Sequence, residues 1–342
     1  MASRRRLRAG VAAASADRAF LVLGAGSAAA EFYQTYRASP NNQRLEFVAL
    51  REERIGELIA GPGSPVVQGD LEGRLKGIST RYSGIILAEP IDRIRPQLLD
   101  RLIRAQFQRT RVYTLESFYE AQWRQVPAHS IDPFWPLQEG FQLSRTSPYH
   151  YAKRIFDMVM AGFGLVITMP IMLLISAIIY VTSGAPVIFK QKRVGRDDEV
   201  FTIYKFRTMR VAENNSAPAS MYTAPNDPRL LPFGRWLRKL RLDELPQLWN
   251  VLNGELSLIG PRAEMVECVE RYREKIPYYH FRHLVKPGIT GWAQVNYPYG
   301  ESEQDAIAKL TYDLYYIRHY SLKLDAMIVL KTVYTIFAGK GR

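Results

Sequence analysis

At 342 residues the chain is long enough for two domains with ordinary hydrophobic cores. Its 46 lysines and arginines outnumber 33 aspartates and glutamates, and the net charge of +13 favours polyanionic partners such as nucleotides, nucleic acid or an anionic membrane surface. The single cysteine, Cys268, excludes an internal disulfide and points to a reducing compartment; with five scattered histidines it also leaves no zinc-ligand spacing.

Residues 1–17 are basic, lack the long apolar stretch of a secretory signal, and read as a disordered arm able to touch anionic lipid. From 18 to 125, apolar strands alternate with helices: "AFLVL", "LEFVAL", "YSGIIL" and "RVYTL" separated by helical stretches such as "RPQLLDRLIRAQFQ". That order predicts a parallel, Rossmann-like sheet. After the first strand comes a Gly-x-Gly-x-x-Ala turn (Gly24, Gly26, Ala29), and Glu52 and Glu53, beside Arg51, lie near the position of a ribose-binding acid. The glycines are read as allowing a tight turn and close helix packing in preference to a dinucleotide. The alternative is an NAD-dependent nucleotide-sugar enzyme built on this domain, which lacks the Tyr-x-x-x-Lys expected near such a sheet. Residues 126–147, proline-rich and without period, read as a linker.

Residues 158–181 run without a charge. A straight helix of that length is roughly 36 Å long, enough for a hydrocarbon core of about 30 Å. Pro170 lies in its middle and predicts a break. Lys153 and Arg154 precede the segment, and Lys190, Lys192, Arg193 and Arg196 follow it, so the positive-inside rule puts both ends on the cytoplasmic side. A re-entrant helix-break-helix hairpin over about 153–182 meets that condition and is favoured over a kinked single span. Asp157, at the entry, is a candidate cap or ion-pair partner. Near the C-terminus, residues 326–339 carry Lys331 and read as an in-plane amphipathic helix.

Beyond the apolar segment, "PVIFKQKRVGRDDEVFTIYKFRTMR" reads as two strands around a polar turn, dense in cations that hold phosphate groups. Residues 211–228 read as a loop, a candidate lid. "LPFGRWLRKL" is a short amphipathic helix of the kind that lies on anionic lipid. "RLDELPQLWNVLNG" then sets Asp243 and Glu244 before a helix that stops at Asn253-Gly254. Asp243 has two readings: the N-cap of that helix, or an ionised nucleophile toward phosphorus with Glu244 as a Mg²⁺ ligand. "IGPRAEM" presents Arg262 on a Gly-Pro turn, and "VKPGITGWAQVN" brings Lys286, Gln294 and Asn296 near a Pro-Gly turn. Cys268 falls in a helix and is given a packing role. The aromatic "PYYHFRH" suits an interface better than nucleic-acid stacking, so nucleic acid is not an expected partner.

Taken in order, the basic-flanked apolar hairpin, "FKQKRVG", "YKFRTM", "RLDELPQLWNVLNGELSLIGPR", "KPGITGWAQVN" and "YDLYYIRHYSLKLD" resemble the bacterial sugar transferases, the monotopic polyprenyl-phosphate phosphoglycosyl transferases, over residues 148–342. The resemblance implies an α/β, membrane-embedded catalytic domain at the cytoplasmic face of the bacterial inner membrane. It further implies that Asp243 attacks the β-phosphate of a UDP-sugar, releasing UMP, and that a polyprenyl (undecaprenyl) phosphate then takes the phosphosugar. Glu244 matches the Mg²⁺ partner. Lys205, Arg207 and Arg262 match phosphate holders, Lys286, Gln294 and Asn296 nucleotide or sugar contacts, and Asp313 is a further candidate. Whether the chain forms a homo-oligomer is left open. Met169-Pro170 departs from the Ser-Pro found in many members, and "YPYGESEQDAIAKL" after "QVN" is closer to the exopolysaccharide branch, so the sugar is left open. A membrane-surface or nucleic-acid-binding protein without catalysis would leave Asp243 and Glu244 unexplained.

Overall fold

In a computed structural model the described residues are 18–127, 147–210 and 229–337, apart from 41–42, 51–53, 76–77, 91–92, 109, 232, 299 and 301. The candidate lid, the acidic residues Glu52 and Glu53, the basic arm and most of the expected linker therefore lie outside the described residues. The chain divides into two compact units, residues 1–133 and 134–342.

The first unit is built on a four-stranded parallel sheet of order β2-β1-β3-β4, with β1 Ala19–Leu23, β2 Leu45–Val48, β3 Tyr82–Leu87 and β4 Arg111–Thr114. Its helices are α1 Ser27–Ala38, α2 Leu71–Leu75, α3 Ile78–Arg81, α4 Pro96–Phe107 and α5 Leu115–Trp123. Strand β1 is buried at every position because helices cover both faces. The two-residue period then splits it: Phe20 and Val22 join Phe32, Phe118 and Tyr119, while Ala19, Leu21 and Leu23 join Leu98 and Leu102. At the end of β1, Gly24 has φ +123°, and a Cβ there would stand 2.7 Å from Glu89 Cγ. Only glycine meets both conditions, which accounts for the turn by packing.

The second unit opens with α6, Tyr149–Ser183, one helix that runs through Pro170. The expected break in helical structure is not seen. Proline removes a single amide donor, and helical backbone continues on both sides of it. Hydroxyls flank the proline, with Thr168 Oγ1 donating to Gly164 O and Ser176 Oγ to Met172 O, each at 2.7 Å. Among the described residues α6 is the one helix long and apolar enough to cross a membrane, and 11% of its most apolar window is buried.

An antiparallel hairpin follows, β5 Ile188–Val194 and β6 Val200–Phe206, in register from Ile188↔Phe206 to Val194↔Val200. Asp197 and Asp198 take its two left-handed positions, a role that aspartate tolerates. Helix α7, Gly234–Lys239, leads through a 3₁₀ turn at Leu242–Glu244 to α8, Gln247–Asn253. Next come β7 Ser257–Ile259, α9 Val266–Lys275, a 3₁₀ segment Tyr279–Leu284, β8 Gly288–Thr290, α10 Trp292–Asn296, α11 Glu303–Arg318 and α12 Leu322–Phe337. Cys268 is buried in α9.

Strands β7 and β8 pair in parallel, and their backbones meet at three glycines. A Cβ on Gly260 would run into Lys286 O, one on Gly288 into Gly260 N, and one on Gly291 into Gly260 O. The glycines of "IGPR" and "KPGITGW" thus allow two backbone segments to touch. Gly291→Ala should lower stability by about 2–3 kcal/mol through forced displacement of backbone, read as a lowered melting temperature of the purified protein.

Candidate active site

Asp243 and Glu244 lie in the 3₁₀ turn between α7 and α8. The turn is set up by Arg241, which takes a left-handed φ of 55° and redirects the chain after α7. Helix α8 begins at Gln247, with Pro246 at its N-cap position and no side-chain cap bond. Asp243 therefore does not cap it, and the bland reading of that residue falls.

Both carboxylates are largely withdrawn from water, yet their surroundings differ. Glu244 is ringed by cations: Lys205 Nζ at 3.2 Å and Arg262 Nη1 at 3.7 Å from Oε1, and Arg241 Nη1 at 3.6 Å from Oε2. Burial alone would raise its carboxyl, but Lys205, Arg262 and Arg241 outweigh that and hold it at about 2. Asp243 is 9% exposed. Its carboxyl is pushed up from 3.8 to about 6, first by burial and then by the charge of Glu244, with Lys205 and Arg238 opposing. Neighbouring acids with separated pKa values are the arrangement in which one carboxylate stays fixed in charge while the other does chemistry. Burial pulls the Lys205 ammonium down against the attraction of Glu244. Arg238, whose Nε donates to Thr208 Oγ1 at 3.0 Å, adds positive charge beside Asp243. The cluster suits an electrophile carrying several negative charges.

Residues 148–339 match the model of a family described as bacterial sugar transferase, more than half the chain. The chain belongs to the bacterial sugar transferase family. Over 193 residues, 56% of this chain and 45% of the relative, it is 42% identical to the UDP-N-acetylgalactosamine-undecaprenyl-phosphate N-acetylgalactosaminephosphotransferase of Aeromonas hydrophila. Over 190 residues, 55% of this chain and 40% of the relative, it is 42% identical to the UDP-glucose:undecaprenyl-phosphate glucose-1-phosphate transferase of Escherichia coli K12. A third relative, the exopolysaccharide production protein PSS of Rhizobium leguminosarum bv. phaseoli, is 37% identical over 195 residues, 55% of this chain and 97% of the relative. The chain spans less than half the length of the first two.

Of the residues that the family resemblance brings forward, the structure gathers Asp243, Glu244, Lys205 and Arg262 into one place. Arg207 turns away: its Nη2 donates to Ser183 O and Gly184 O, both at 2.6 Å, holding the end of α6. Lys286 sits in a small cleft with His150, Lys153, Arg154, Asp157, Ser257, Val285 and Tyr320. Gln294 Nε2 donates to Ile289 O at 3.1 Å, and Asn296 is engaged by Trp292 O and the Lys331 ammonium. Asp313 is buried and paired with Arg282 at 3.0 Å. Asp157 accepts from Ser257 Oγ at 2.7 Å and Leu258 N at 3.2 Å, joining α6 to β7. Arg241 was visible in sequence only as part of a basic run, although its spacing of three from Glu244 is the available signal.

Proposed function

We propose that the protein moves a sugar-1-phosphate from a UDP-sugar to a polyprenyl phosphate such as undecaprenyl phosphate. A carboxylate oxygen of Asp243 attacks the β-phosphorus, the bond from that phosphorus to the oxygen bridging the α-phosphate breaks, and UMP leaves. A phosphate oxygen of the polyprenyl phosphate then attacks the same phosphorus. The acyl-phosphate bond breaks, Asp243 is restored as a carboxylate, and polyprenyl-diphosphate-sugar is formed. The observation that carries the reading is the split pair: a buried carboxyl near 6 beside one held at about 2 by three cations. The names of the relatives support the substrate classes and the link to exopolysaccharide synthesis.

Lys205, Arg241 and Arg262 would hold the diphosphate, and the burial of Asp243 leaves its charged form poorly solvated and reactive. No group of three metal-binding side chains occurs among the described residues, while Glu244 and Asp243 supply hard carboxylate oxygens. That donor set fits Mg²⁺, which takes one or two carboxylates and fills its shell with substrate phosphates and water. When bound, Mg²⁺ would offset diphosphate charge, with Glu244 as its protein partner.

The reading further places α6 as a re-entrant helix in the bacterial inner membrane, bent at Pro170 while its backbone stays helical on both sides, with both ends on the cytoplasmic face. Support comes from the grip on both ends by one unit. At the start, Lys153 pairs with Asp325 at 2.7 Å and Arg154 donates to Val251 O and Leu252 O; at the end, Arg207 holds the last carbonyls. The first unit, parallel with order 2-1-3-4, is read as Rossmann-like and without a dinucleotide, since Glu89 backs its glycine turn.

Purified protein with Mg²⁺ and a panel of UDP-sugars should release UMP and gain the mass of one phosphosugar on Asp243. Absence of both with every sugar tested defeats the proposal. The nucleophile must be ionised, so the rate of UMP release should fall about tenfold per pH unit below pH 6, whereas an ordinary aspartate would hold its rate down to about 4. Initial rates from pH 4.5 to 8 decide between the two.

A further inference from the structure

The Gly260-Pro261-Arg262 turn presents a cation to Glu244, and its backbone is pinned at two successive carbonyls. Gly288 N donates to Pro261 O at 2.8 Å, and the Arg282 guanidinium donates to Arg262 O at 3.0 Å. The first of these belongs to the glycine crossing. The second is made by a buried side chain: Arg282 is 5% exposed, in the 3₁₀ segment after α9.

Arg282 is held from several sides. Its Nη2 also donates to Asp313 Oδ2 at 3.0 Å, its Nη1 donates to the Tyr279 hydroxyl at 2.5 Å, and Glu264 Oε1 stands 3.8 Å away. Asp313 is 1% exposed on α11, and its Oδ1 has no hydrogen-bond partner among the described residues. A buried ion pair is a weak source of stability, because desolvation of both charges offsets their attraction. A guanidinium fork, by contrast, fixes direction: one planar group here spans a carboxylate and a main-chain carbonyl.

We infer that Arg282 is a positioning residue, with Asp313 as its buried counter-charge, and that it sets the backbone of Arg262 so that the Arg262 side chain meets Glu244 and the substrate diphosphate. The inference rests on the transferase reading and gives Asp313 a role at one remove from the substrate. The path runs from Asp313 to Arg282, to the carbonyl of Arg262, and along the Arg262 side chain to the reaction centre.

The test uses the full-length protein in detergent or nanodiscs with saturating undecaprenyl phosphate and follows UMP release from its UDP-sugar. Arg282→Lys keeps the charge opposite Asp313, so the fold is retained, but an ammonium lacks the fork needed to span Asp313 and the carbonyl in fixed directions. It should lower kcat/KM about tenfold, mainly through KM, as expected for loss of one charge-assisted contact. Arg262→Met should lower it by at least as much. The Arg262→Met/Arg282→Lys double variant should be no worse than Arg262→Met alone, because both changes act through one guanidinium. Asp313→Asn should show the same dependence on Arg262. Additive losses in the double variants, or a normal KM in Arg282→Lys, overturn the inference while leaving the transferase reading intact. A wild-type protein that releases no UMP from any sugar overturns both.

Discussion

Replacing Asp243 by asparagine should abolish UMP release, by at least about 10³-fold, and at the same time make the protein more stable at pH 8. The first effect follows, on the transferase reading, from loss of the proposed nucleophile, since an amide of the same shape cannot form the acyl phosphate. The second follows from burial. A carboxyl raised from 3.8 to about 6 holds its proton more tightly in the folded state than in the unfolded one. The stability this confers is present at acid pH and is lost as the pH rises from about 4 through 6, a difference of up to roughly 3 kcal/mol. Asparagine carries no charge and escapes that loss. Its advantage should be largest at pH 8 and shrink to about half by pH 5. Melting curves of the two proteins at both pH values check this; a variant no more stable than wild type at pH 8 would show that Asp243 is better solvated than its burial indicates. A variant that still released UMP at the wild-type rate would remove Asp243 from the chemistry.

Lys153→Met should destabilise the protein by about 3–5 kcal/mol. The Lys153 ammonium lies 2.7 Å from Asp325 Oδ2, and both side chains are 5% exposed. Asp325 also accepts from Tyr149 at 2.6 Å and Tyr316 at 2.9 Å, so α6, α11 and α12 meet on one carboxylate. Methionine fills the space of lysine but leaves that carboxylate buried with only neutral donors. Adding Asp325→Leu should recover most of the loss, because the cost comes from an uncompensated charge. Chemical denaturation of the wild type, the single variant and the double variant measures it. A neutral Lys153→Met would mean that water reaches the pair.

The legible part of the site was the part that depends on composition over short stretches. Asp243 and Glu244 behind a basic run, and Lys205 on an alternating strand, signal their chemistry locally. The cap reading of Asp243 was equally legible, and it fails because α8 starts at Gln247, one turn later than the aspartate would require. Arg207 is a different case. It lies two residues from Lys205, just past the end of β6, and only tertiary structure shows that the end of α6 brings it two carbonyls. Lys286, Gln294 and Asn296 sit in a glycine-rich stretch that looks built to admit a ligand, whereas its glycines admit another segment of this chain. Pro170 signals a break, yet the helix continues, because one missing amide is a small loss within 35 residues. The pairing of Arg282 with Asp313, separated by 31 positions, leaves no local trace at all.

Two cations with different duties stand at the end of β6, Lys205 within the strand and Arg207 just past it. Lys205 closes on Glu244, and Arg207, one period further along, closes on the final turn of the apolar helix. The apolar helix and the Glu244 cluster are thus joined by a link only two residues long. A lipid environment that tilts or lifts the helix terminus would tug on the lysine ammonium, so the single-turnover rate of UMP release is expected to track acyl-chain length even with a water-soluble sugar nucleotide as the only substrate.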